Sequence, residues 1–121
     1  MGVEPIKVPA GLAYIIDKAG EKSGVDFDYL VNTAMRESSL DANARAKTSS
    51  AVGLFQFLES TWLDVMKSDG ARLGYASYAE AIKPAAGGGY FVRDQGLKKE
   101  ILALRENPEV SADLAAAFTK R

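Results

Sequence analysis

Two short segments carry the residues best suited to chemistry, Arg36-Glu37-Ser38-Ser39-Leu40 and, sixteen residues on, Gly53-Leu54-Phe55-Gln56-Phe57. The first places a carboxylate at the end of an apolar helical stretch. The second offers a glycine followed by a side-chain amide. The chain has no histidine and no cysteine, so Ser-His-Asp and Cys-His arrangements, His- or thiolate-based zinc sites and disulfides are excluded within it. Carboxylates, lysines, tyrosines and hydroxyls remain, and a carboxylate is the commonest general acid or base among these. Glu37 is therefore the first candidate for acid/base work.

The elements that must position Glu37 follow from periodicity. Leu12, Ile15, Ile16 and Ala19 recur at helical spacing and predict a helix from about Pro9 to Lys22, ended by Ser23-Gly24. Asp26 reads as the N-cap of a second helix bearing Phe27, Leu30, Val31, Ala34 and Met35 on one face. On a wheel of about 100° per residue these fill an arc of roughly 140°, with Arg36 opposite and Glu37 roughly 20° from Leu30. Glu37 is thus expected half-buried at the edge of the apolar arc, where desolvation disfavours its charged form.

Asp41 to Val52 is small, polar and aperiodic, a loop. A third helix is expected from about Phe55 to Lys67, and a short one over residues 76–83. Pro84 to Gly89 breaks the pattern before Tyr90-Phe91-Val92, a brief extended run. Leu97 to Arg105 reads as helix, and Asn107-Pro108 as the start of a last helix to about Lys120 that buries Val110, Leu114, Ala117 and Phe118. The fold class is all-α with at most a short β-hairpin. Residues 1–8 read as a flexible lead-in and 9–121 as one domain.

Composition agrees with a soluble globular domain: 121 residues, 47% apolar and 26% charged. A net charge of −1 gives no general attraction to nucleic acid or anionic lipid. No apolar run reaches the roughly 20 residues of a membrane span, and the start shows no export signal.

The order Glu37-Ser38-Ser39-Leu40, a loop rich in Ala and Ser, then Gly53-Leu54-Phe55-Gln56 and Ser60-Thr61-Trp62 resembles the soluble lytic transglycosylases, lysozyme-like enzymes of glycoside hydrolase family 23 that cleave bacterial peptidoglycan. The resemblance spans residues 34–66. It implies a lysozyme-like fold, Glu37 as catalytic acid/base, Gln56 lining the saccharide cleft and Ser38 following the catalytic glutamate. It also implies a loop hydroxyl near substrate, from Ser49 or Ser50. Tyr90, after three glycines, is the candidate cleft-facing aromatic, with core anchoring of the loop as its alternative. Phe55, Phe57 and Trp62 are expected to be core. No cofactor and no metal are implied. The expected partner is the glycan strand in the periplasm of the bacterial envelope, with a flagellar or secretion apparatus as a further protein partner. Two alternatives stand beside this: a goose-type hydrolytic muramidase using Asp41, Glu59 or Asp64 as second carboxylate, and a non-catalytic binding or assembly module. The family's Ala-Tyr-Asn-like third element has no counterpart here, so the expectation is either a domain shortened at its C-terminal side, with one cleft wall open, or a cleft wall supplied from elsewhere.

Overall fold

The computed structural model describes residues 7–121; most of the expected lead-in lies outside these. Six helices and one two-stranded sheet make up the described chain: α1 Ala10–Ser23, α2 Phe27–Ser38, α3 Glu59–Asp69, α4 Ala76–Ala81, β1 Ile82–Pro84, β2 Tyr90–Val92, α5 Gln95–Ala103 and α6 Pro108–Thr119, with a 3-10 turn, Leu104–Glu106, before α6. The all-α reading with a short hairpin holds. No described helix is long and apolar enough to cross a membrane.

Local chemistry sets the helix ends. Asp26 Oδ1 accepts from the Asp28 amide at 3.1 Å, Asp94 Oδ1 from Leu97 at 3.0 Å, and Asn107 Oδ1 from both Glu109 and Val110, with Pro108 at the first helical position. Each side chain satisfies amides that a helix start leaves without a backbone partner. Gly24, at φ 81°, ends α1 in the left-handed conformation that glycine adopts without a Cβ penalty.

Helix α6 is the centre of the molecule. Every residue from Val110 to Ala117 is buried, as expected of a helix packed on all sides. It packs most extensively against α1 and also contacts α3, α2 and the 3-10 turn. Alanines at 112, 115, 116 and 117 let these neighbours approach its backbone. Trp62 of α3 is fully buried beside it, and its indole N–H donates to the Ile101 carbonyl at 2.8 Å, as a buried indole requires. A carboxylate enters this core. Asp113 of α6 has a side chain only 3% exposed, paired with Lys22 Nζ at 3.0 Å, and it accepts from the Tyr75 hydroxyl at 2.7 Å.

The third helix departs from expectation. It starts at Glu59, and Gly53–Phe57 instead form a tight turn closed by the Val52–Phe57 bridge. The pair at Arg45 and Val52 extends this into a small antiparallel arrangement, so the polar loop is more ordered than its composition suggests. The hairpin β1–β2 pairs Ile82 with Val92, Lys83 with Phe91 and Pro84 with Tyr90. It takes over two residues expected to be helical, Ile82 and Lys83.

Candidate active site

Helix α2 delivers Glu37 one residue before its end, and the chain then turns sharply through Ser39 and Leu40, at φ 56° and 65°. The left-handed region costs a residue with a side chain roughly 1–2 kcal/mol. Gln56, at φ 53°, is the remaining non-glycine residue with positive φ among those described. All three lie in the two motif segments. Strained backbone of this kind gathers at functional sites, where surrounding contacts hold it.

Those contacts are explicit. Ser38 Oγ lies 2.6 Å from the Leu54 carbonyl oxygen and 3.0 Å from that of Ala34, so its hydroxyl proton joins the end of α2 to the turn. Gln56 Nε2 donates to the carbonyls of Ala44 at 3.0 Å and Gly53 at 2.9 Å, which fastens the turn to the loop. Beneath the turn sits Arg105, 6% exposed, donating to the carbonyls of Ser50 at 2.6 Å, Phe57 at 3.0 Å and Leu102 at 2.9 Å. Burial pushes the pKa of this guanidinium down, with Glu59 opposing the shift. Gly53, at φ 92°, is pressed against the same residue: a Cβ there would stand 1.9 Å from the Arg105 carbonyl oxygen. The glycine is thus explained by the approach of the 3-10 turn as well as by its φ.

Glu37 faces a groove of about 250 Å³ lined by Tyr29, Thr33 and Arg36 of α2, Phe55 and Phe57 of the turn, and Ala115, Phe118 and Thr119 of α6. Its side chain is 41% exposed, and Arg36 Nε lies 3.6 Å from Oε2. The carboxylate is therefore more open to solvent than its place on the helical wheel suggests. It is also the one carboxylate lining the groove among the described residues. The groove walls are apolar and aromatic, with Thr33, Thr119, Arg36 and Glu37 as polar points, the usual make-up of a site for a small organic ligand.

The sequence-predicted residues divide into distinct places. Glu37 lines the groove. Ser38 ends α2 and Gln56 belongs to the motif turn, with the bonds given above; neither is in the groove lining, because both side chains are turned to backbone carbonyls. Ser49 Oγ accepts from the Ala51 amide at 3.3 Å, and Ser50 Oγ from the Glu59 amide at 3.1 Å, where it caps the first turn of α3. Tyr90 lines a different concavity, of about 490 Å³, with Ser60, Thr61, Asp64, Gly88 and Gly89. Phe55 and Phe57 are buried, as expected of core, yet they also form part of the groove.

Sequence reasoning missed Phe118 and Tyr29. Phe118, expected in the core, is 48% exposed and meets Phe57 edge-on at 6.1 Å between centroids. An apolar pattern does not distinguish a core aromatic from one that walls a groove. The polar run Thr119-Lys120-Arg121 directly after it was the available signal. Tyr29 is 52% exposed and precedes Thr33 and Glu37 on one ridge of α2, at i, i+4 and i+8.

Comparison with known proteins points the same way. Residues 14–86 match the family described as Transglycosylase SLT domain. The chain is also 39% identical over 70 residues to proteins named "Probable transglycosylase SceD" from two strains of Staphylococcus aureus, bovine RF122 / ET3-1 and MRSA252. That alignment covers 57% of this chain and 30% of each relative, so the chain spans under a third of the curated relatives it matches. The family match takes in α2, the loop and the motif turn and ends before β2, leaving Arg105 and Phe118 outside it. With more than half of its residues matched, the chain belongs to the SLT transglycosylase domain family.

Proposed function

We propose that the domain is a peptidoglycan lytic transglycosylase that cleaves the β-1,4 bond between N-acetylmuramic acid and N-acetylglucosamine. The observation that carries this reading is Glu37 as the lone carboxylate in an aromatic-lined groove, at the end of α2 beside the motif turn. Glycosidases that hydrolyse their bond generally use two carboxylates facing one another across it. The candidates for a second are engaged elsewhere: Asp41 Oδ1 accepts from the Asn43 amide at 2.9 Å, Glu59 begins α3, and Asp64 pairs with Arg121 at 3.3 Å. None of them lines the groove.

A single carboxylate suffices when the nucleophile belongs to the substrate. Glu37, protonated, gives its proton to the glycosidic oxygen as the bond from that oxygen to the anomeric carbon breaks, and the N-acetylglucosamine side leaves with a new hydroxyl. The Glu37 carboxylate then takes the proton of the muramic acid C6 hydroxyl, whose oxygen bonds to the anomeric carbon. The acid is regenerated, no water is consumed, and the product ends in 1,6-anhydromuramic acid. Intramolecular attack of this kind gains from proximity. In this reading Ser38 holds the motif turn against α2, Gln56 fastens it to the preceding loop, Tyr29 and Phe118 offer faces to the sugar rings, and the protein works in the bacterial cell envelope.

The test is mass spectrometry of digests of purified sacculi. The expected product is one water lighter than a hydrolytic one. Reducing-end muropeptides without the anhydro form would support the muramidase alternative and remove this mechanism.

A further inference from the structure

Tyr90 lies away from the Glu37 groove, in a larger concavity walled by the start of α3 and the hairpin turn. Its lining mixes an aromatic ring, the Asp64 carboxylate and the hydroxyls of Ser60 and Thr61. Gly88 and Gly89, at φ 101° and 71°, form the turn, and nothing lies within 4 Å of where their Cβ atoms would be. That part of the lining is therefore bare backbone that a flat ring can approach closely. Aromatic face, carboxylate and hydroxyls together match a pyranose, which presents an apolar C–H face and a rim of hydroxyl donors.

Arg121 touches one lining residue of each concavity. Arg121 sits with its guanidinium carbon 5.9 Å from the Phe118 ring centroid and its Nη1 3.3 Å from Asp64 Oδ2. Phe118 lines the Glu37 groove and Asp64 lines the Tyr90 concavity. The Phe118–Arg121–Asp64 contacts thus link the two linings, and Asp64, 44% exposed, keeps lone pairs free for a ligand.

We propose that the concavity formed by Ser60, Thr61, Asp64, Gly88 and Tyr90 is a distal saccharide subsite, holding an N-acetylhexosamine ring of the same glycan strand that Glu37 cleaves. The inference rests on the glycan-cleaving reading above and adds to it a preference for long strands.

The experiment uses the full chain carrying Glu37→Gln, labelled for backbone amide NMR and titrated with peptide-free N-acetylglucosamine oligomers. The hexamer is expected to shift amides at Thr61, Asp64 and Gly88–Tyr90 together with those at Thr33 and Phe118, all saturating at one ligand concentration. Adding Tyr90→Leu, which keeps apolar bulk without the ring face, should weaken the hexamer roughly three- to tenfold and leave the dimer unchanged. Hexamer shifts confined to the Glu37 groove would overturn the distal subsite and leave the catalytic reading standing. Two separate saturation points would overturn the single-strand claim, and equal weakening of dimer and hexamer would reduce Tyr90 to a structural residue. Shifts at Gly88–Tyr90 only with peptide-bearing muropeptides would replace the saccharide subsite by a peptide one. No shifts at either place with any oligomer would sink the glycan reading itself.

Discussion

Replacing Arg105 with methionine tests the claim that this buried cation holds the motif turn in place. The guanidinium donates to three carbonyls, of Ser50, Phe57 and Leu102. Hydrogen bonds from charged groups are worth about 1.5–3 kcal/mol each, but the simple sum overstates the loss. The Phe57 carbonyl keeps its bond from the Val52 amide at 3.1 Å, and exposed Ser50 can be rehydrated. Removing a buried cation also recovers part of its desolvation cost. The expected net destabilisation is therefore about 2–4 kcal/mol. For a domain of this size that lowers the melting temperature by about 6–16 °C. Thermal melts and urea titrations followed by circular dichroism measure it, and sacculus digestion shows whether the turn still serves the groove. Arg105→Lys should recover only part of the loss, because an ammonium lacks the planar fork that reaches carbonyls on separate segments. A methionine variant within about 0.5 kcal/mol of wild type, the range of an ordinary surface change, would refute the anchoring role.

Glu37→Gln should leave the melting temperature nearly unchanged and lower sacculus turnover by about 10²–10⁴-fold; activity within a few-fold of wild type would take Glu37 out of the mechanism. Gly53→Ala, which puts a Cβ 1.9 Å from the Arg105 carbonyl oxygen at φ 92°, should cost about 3 kcal/mol or more, and a near-native urea midpoint would count against the close approach. Ser111 Oγ is buried without a hydrogen-bond partner among the described residues, so Ser111→Ala should stabilise by about 1 kcal/mol through lost desolvation cost and better helix propensity; a lower melting temperature would show that the hydroxyl is engaged. Burial, and then the bond to Asp113, push the Tyr75 pKa up from its ordinary value of 10.0. The native state thus favours the protonated phenol, and the resulting stability is complete below pH 10 and declines as pH rises toward the folded pKa. Between pH 9 and 11 wild type should lose stability faster than Tyr75→Phe in urea titrations, and parallel curves would rule this linkage out.

Much of the scaffold was legible because the helices are amphipathic and locally capped. Asp26 and Asn107 mark starts that their own side chains make, and the 3.6-residue pattern of α1, α2 and α6 survives into the packing. The motif turn was not legible. Leu54, Phe57 and Leu58 fall at helical spacing, so local pattern favours a helix from Phe55. What overrides it is non-local: the Ser38 hydroxyl on the Leu54 carbonyl, Arg105 under Phe57, and Ser50 capping α3 from nine residues away. No window of sequence contains these partners together. Gly53 alone carried a local trace, since a backbone needing positive φ ends a regular helix rather than continuing one.

The same asymmetry runs through the site. Its place on the second helix singled out Glu37, and the family resemblance singled out Gln56, because each reading needs only a neighbourhood in the chain. The groove around Glu37 needs two distant elements to meet, α2 and the buried, alanine-rich α6. There Phe118 stands edge-on to Phe57 and adds to the aromatic wall of the groove one residue from beyond the family match. Glu37 is held by the backbone that follows it, through the left-handed Ser39 and Leu40 and the Ser38 bond to the turn, and the strain in that backbone is tolerated because Arg105 and Gln56 leave the turn few other arrangements.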